Sequence, residues 1–234
     1  MTKGDLPSNA SDDSVSVPWN NVVRFVRQLS HDLRNHLNAA ELQAVFLNEL
    51  AENDEMKGEI KRMREMISQL GTVLQKLSTD LGQIKPHLMT YGANDFMEDM
   101  RGKVAQDFPE QSAPVPWEVQ LKDETFEIDP QLLQQAILEL FANAFRHAPK
   151  PDAIKVSART EKGRLVFALH EGKASFDLPT ENWGRQPLGN VGQGHYGLGL
   201  NRVRAIVEAH RGEFGAKYDS STLVTTITLP LSGA

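Results

Sequence analysis

An unbroken alternation of three- and four-residue steps runs through Ile60, Met63, Ile67, Leu70, Leu74, Leu77, Leu81 and Ile84. That spacing marks a helix whose apolar seam demands a partner. A second stripe precedes it, at Val22, Val26, Leu29, Leu33, Leu37, Ala40, Ala44 and Leu47. A polar turn near 52–55 joins the two, so the expected unit is an antiparallel helical hairpin. Two helices cannot enclose such a seam. Pairing with a second copy buries it in a dimeric four-helix bundle. The alternative is that the hairpin packs on the rest of its own chain.

Gly82 and Pro86 end this pattern, and mixed signals follow. A helix is expected over 95–106, and short strands over 117–121 and 125–128. Asp129-Pro130 is a helix start, with Asp as N-cap and Pro at the first helical position, and that helix runs to His147. Strands follow at 154–160 and 165–170, around a Lys162-Gly163 turn. A Gly-rich loop is expected over 171–194, then a helix over 198–209 and a hairpin of strands 213–218 and 223–229. Helices covering one side of such strands make an α+β sandwich. The expected division is a disordered tail at 1–16, the hairpin at 17–85 and the mixed domain at 86–234.

Composition narrows the chemistry. The 234 residues include no cysteine, which excludes disulfides and thiolate chemistry. A net charge of −6 disfavours nucleic acid and anionic membranes as partners. No apolar run reaches the roughly 18 residues of a membrane span. The N-terminus carries no signal-peptide pattern, so a cytoplasmic location is expected. The seven histidines show no zinc-ligand spacing. His87, His195 and His210 read as structural or surface groups, and Trp117 and Trp183 as packing residues.

Three polar constellations stand out. His31 lies two residues from Leu29 and Leu33, which at about 100° per residue turns it from the apolar stripe. With Arg34, Asn35 and Asn38 it forms one exposed polar stripe. An imidazole beside Asp32 is either a solvated surface pair or a nucleophile with its activating carboxylate. The second set is Glu139, Asn143, Arg146 and His147, on one face of the 131–147 helix. It is either an ordinary polar face or a magnesium–phosphate site. In the latter Asn143 is an oxygen ligand, Arg146 neutralises phosphate and Glu139 is a general base. The third is Gly194-His-Tyr-Gly197-Leu198-Gly199-Leu200 at a helix start, where glycines let backbone amides approach an anion.

In their order along the chain, these elements resemble the catalytic core of a bacterial two-component sensor histidine kinase. Ser30–Leu37 resembles the H-box, with His31 at the phospho-acceptor position, Asp32 as its acidic neighbour and Asn35 where the family orients water for dephosphorylation. Glu139–His147 resembles the N-box, which binds Mg-ATP, and Gly197–Leu200 resembles the G2 box. The resemblance covers about 22–230 and implies a dimerisation bundle followed by a Bergerat-type ATP-binding domain. It implies ATP and Mg²⁺ as cofactors, with Asn143 holding the metal. A homodimer and a response regulator receiver domain are the implied partners.

The chain departs from the family in its G1 box. Where the family has an Asp that accepts from the adenine amino group, this chain reads His170-Glu171-Gly172. His170 occupies the Asp position, and Glu171 could replace it only if the backbone shifts, since neighbouring strand residues face opposite ways. A lost buried partner costs about 1–3 kcal/mol, or roughly 10–100-fold in affinity, so weakened ATP binding is expected. His36 replaces the usual H-box proline, so less kinking is expected. No sensor, membrane or receiver segment lies within the chain, so its input comes from a partner or the chain is an excised core.

Three functions follow. The first is an ATP-dependent protein-histidine kinase that phosphorylates His31 and passes the phosphate to a regulator aspartate, with phosphatase activity through Asn35. The second is a histidine phosphotransferase that relays phosphate without ATP. The third is a regulatory pseudokinase.

Overall fold

The computed structural model describes residues 19–147, 153–176, 180, 183–185 and 198–232. The expected tail and His195 lie outside them.

Two helices, α1 (Trp19–Leu50) and α2 (Asp54–Asp80), form the hairpin. Asn53 caps α2, its Oδ1 accepting from the Met56 amide at 2.8 Å, which ends the turn where acidic residues begin the helix. α1 runs through His36 as one helix, as expected without a proline. The contact between α1 and α2 is centred on Ser30, Leu37 and Ala44, with Ile60, Met63 and Ile67 opposite. Arg64 pairs with Glu41 across it at 2.7 Å. Arg34 corrects the sequence reading: it is partly buried, with Nη2 enclosed and without a partner, rather than on the open stripe of His31. It sits one turn from buried Ser30, so it shares that inward face. Leu29, Leu33, Leu47 and Leu70 are each at least 40% exposed on the single chain.

The mixed domain follows: β1 (Met89–Gly92), α3 (Ala93–Asp107), α4 (Pro109–Ser112), β2 (Trp117–Gln120), β3 (Thr125–Ile128), α5 (Pro130–His147), β4 (Ile154–Glu161), β5 (Arg164–Gly172), α6 (Gly199–Ala209), β6 (Glu213–Asp219) and β7 (Thr222–Pro230). β1 pairs antiparallel with β3. The main sheet has the order β2-β4-β5-β7-β6, parallel only between β2 and β4. Alternate residues of its strands (Ile154, Val156, Leu165, Phe167, Leu169, Leu223, Ile227 and Leu229) are buried against α3, α5 and α6. This is the α+β sandwich expected. Trp117 stacks on Phe141 at 5.6 Å, and Trp183 meets Phe176 edge-on at 5.5 Å; both tryptophans pack, as read.

Asp129 caps α5 through the Leu132 amide at 3.1 Å. Its own amide donates to Nε2 of buried His210 at 2.9 Å. His210 Nδ1 faces the Ile206 carbonyl at 2.8 Å. One histidine thus joins the start of α5 to the end of α6, a structural role.

Candidate functional site

α5 carries the centre of the site because its opposite face, Leu133, Ile137, Leu140 and Ala144, is fixed in the core. That anchoring turns Glu139 and Asn143 to the α6 side, one turn apart. Asn143 Nδ2 donates to Glu139 Oε1 at 3.4 Å. Gly199 opens α6 directly against Glu139, where a Cβ would overlap the carboxylate. A side chain here would therefore push the Glu139 carboxylate aside. Among the described residues no side chain caps α6, and a helix start of this kind favours an anion. Burial raises the Glu139 carboxyl above the ordinary range, and Asp80 adds to this, while Lys76 and Arg146 oppose it. Arg146 and His147 lie exposed at the end of α5. Leu198 and Leu200 are buried under the start of α6, and Gly197 lies outside the described residues.

The G1 segment corrects the sequence reading twice. First, β5 continues through Glu171 to Gly172, beyond the expected loop boundary. Second, its alternation places Glu171, not His170, on the helix-facing side with Leu165, Phe167 and Leu169. No backbone shift is needed. Glu171 is 5% exposed, and burial raises its carboxyl while Lys173 opposes the rise. Lys173 Nζ lies 3.2 Å from Glu171 Oε2. His170 projects to the other face of the sheet and meets Ser157 Oγ at 3.0 Å, lining a cavity of about 210 Å³ with Glu118, Lys155 and Arg159. It is therefore removed from Glu139 and Asn143.

Sequence reasoning missed Thr225. It lies on β7 opposite Leu169, 2% exposed, with Oγ1 buried and unpartnered. A threonine on the inward register with Leu223 and Ile227 was the available signal. Its orphan hydroxyl lies on the strand next to that of Glu171, one register step from it on the same face, and such a pair suits the hydrogen-bonding edge of a nucleobase. Asn143, Glu139 and the start of α6 suit its magnesium-bound phosphates. On these grounds the residues fit Mg-ATP.

His31 stands apart on α1, with its side chain 67% exposed and Nδ1 3.3 Å from Asp32 Oδ1. Gln28 Nε2 donates to the same carboxylate oxygen at 2.9 Å, which holds Asp32 toward the ring. Asn35 is exposed one turn further on. Among the described residues, no hydrogen bond or ion pair given by the structure joins His31 to Glu139 or Asn143.

Comparison with known proteins agrees with this geometry. Residues 128–233 match the family described as histidine kinase-, DNA gyrase B-, and HSP90-like ATPase. The adaptive-response sensory kinase SasA of Gloeothece citriformis is 27% identical over 210 residues, covering 81% of this chain and 52% of the relative. The chain thus spans about half the length of that curated relative. Full-length ShkA in complex with AMPPNP superposes with a TM-score of 0.63 at 19% identity, covering 90% of this chain and 46% of ShkA. Histidine kinase ThkA in complex with response regulator protein TrrA superposes with a TM-score of 0.57 at 15% identity, covering 88% of this chain and 61% of ThkA. No described helix is long and apolar enough to cross a membrane. By sequence and fold together, residues 128–233 form an ATPase domain of the histidine kinase, gyrase B and HSP90 type, and the chain as a whole, a helical hairpin followed by that domain, is similar to sensor histidine kinases.

Proposed function

We propose that the chain is an ATP-dependent protein-histidine kinase that phosphorylates His31 and passes the phosphate to an aspartate of a cytoplasmic response regulator. The observation that carries this is the grouping of Glu139, Asn143 and the glycine start of α6 in one partly buried site, on the same chain as an exposed, carboxylate-oriented histidine. Asp32 at Nδ1 leaves Nε2 as the attacking nitrogen. Nε2 forms a bond to the γ-phosphorus as the bond to the β–γ bridging oxygen breaks, and ADP leaves. The ring's Nδ1 proton stays on the Asp32 side and balances the charge of the new phosphohistidine. Asn143 would hold Mg²⁺, which neutralises phosphate charge when bound. Glu139 orients Asn143. Asn35, one turn from His31, positions water for the reverse, phosphatase reaction. The exposed leucines of the hairpin support a homodimer through a four-helix bundle.

A second reading, a phosphotransferase or pseudokinase that does not use ATP, is favoured by one observation. The Glu171 carboxylate is already engaged by Lys173. Calorimetric titration with Mg-ATP separates the two. The kinase reading expects binding that disappears in Asn143→Ala. No heat up to millimolar Mg-ATP supports the relay reading instead.

A further inference from the structure

Arg202 on α6 ties two other helices together. Its guanidinium donates to the Thr79 carbonyl near the end of α2 and, at 3.3 Å, to Gln135 Oε1 on α5. Thr79 and Gln135 are therefore neighbours across the boundary between hairpin and ATPase domain. Lys76 is one turn back along α2, and Glu139 is one turn on along α5. Steps of three and four residues keep each on its helix's facing side. The two helices thus bring Lys76 of the hairpin to Glu139 of the ATPase domain. The charges agree: of all the groups acting on Glu139, Lys76 is the strongest opponent of its burial. Asp80 also faces this junction, where burial raises its carboxyl and Lys76 and Arg202 oppose the rise.

Lys76 is also placed with respect to His31. Arg27 Nε donates to the Leu81 carbonyl at 2.6 Å, and Arg64 pairs with Glu41 at 2.7 Å. These are two fixed points on antiparallel helices of equal rise. Counting inward from either sets His31 about level with Lys76. Lys76 is itself exposed, so its flexible stem can carry the ammonium between partners.

We propose that Lys76 is the hairpin's contribution to nucleotide recognition: its ammonium exchanges Glu139 for the terminal phosphate of a bound nucleoside triphosphate. This rests on the nucleotide reading above. Only a triphosphate carries the extra anionic group that meets the hairpin, so Lys76 distinguishes ATP from ADP. It also couples that distinction to the helical layer holding His31.

The test is calorimetry on the full chain with Mg-ADP and with a non-hydrolysable Mg-ATP analogue, for wild type, Lys76→Met and Lys76→Arg. Lys76→Met is expected to lose about tenfold in affinity for the triphosphate analogue, the worth of one charge-assisted hydrogen bond. Its affinity for ADP should stay within about twofold, and Lys76→Arg should recover most of the loss. Equal losses for both nucleotides indicate a merely structural lysine and overturn the proposal, as does no loss for either. A wild-type chain that binds neither nucleotide overturns the nucleotide reading, and the proposal with it.

Discussion

Gly199, the first residue of α6, lies so close to the Glu139 carboxylate on α5 that any side chain there would displace it. Alanine at 199 is compatible with the helix and even favours it by up to about 1 kcal/mol over glycine. Stability and site geometry should therefore separate. Gly199→Ala is expected to keep its melting temperature within a few degrees while phosphorylation of His31 falls at least tenfold. Thermal unfolding and phosphate incorporation on the same preparation check this. Unchanged incorporation would mean that the position of Glu139 does not matter.

The faces of the G1 strand make a paired prediction. Glu171→Ala should weaken Mg-ATP binding about tenfold or more, because it removes the buried acceptor. His170→Ala should leave binding within about twofold, since His170 lies on the opposite face of the sheet. Equal effects in the two variants would contradict this assignment of faces.

His170 also has a signature in pH. Burial lowers its pKa, Lys155 and Arg159 add to this, and Glu118 opposes it. A depressed folded pKa means that the unfolded chain binds the proton more tightly. Stability is thus fully present above the ordinary histidine value of about 6.5 and is lost as pH falls from there through the folded value. His170→Gln should flatten that part of the stability curve, measured by urea unfolding between about pH 7.5 and 5. An unaltered slope would remove His170 as its source.

The hairpin supplies a prediction on assembly. Leu29, Leu33, Leu47 and Leu70 form the face that the single chain leaves exposed. Leu33→Glu should turn a dimer into a monomer in sedimentation experiments while helical circular dichroism changes little. A wild-type chain already monomeric at tens of micromolar would contradict the four-helix bundle.

These contrasts show what was legible in the residues. The helices α1, α2 and α5 could be read because apolar spacing and caps repeat over many turns. The stripe through Leu29, Leu33 and Leu47 marked the face open to a partner. Leu37 and Ala44 of the same stripe instead meet α2, together with Ser30 off the stripe, which is why Arg34 was misplaced. β1 gave no signal: four residues with no buried side are held by pairing with β3, more than thirty residues away. Counting along the G1 motif favoured His170, whereas strand alternation, set by Leu165, Phe167 and Leu169, favours Glu171. Lys76 and Arg202 could not be found at all, because their partners lie in another domain and no local periodicity encodes that contact.

The central claim is that His31 accepts phosphate from ATP bound at the Asn143 site. The direct measurement is incubation of the full chain with Mg²⁺ and γ-labelled ATP, followed by a test for acid-labile, alkali-stable phosphate. The account predicts label on the wild type and none on His31→Gln or Asn143→Ala. Label that persists in His31→Gln, or a wild type that binds Mg-ATP yet acquires no phosphate, would contradict it.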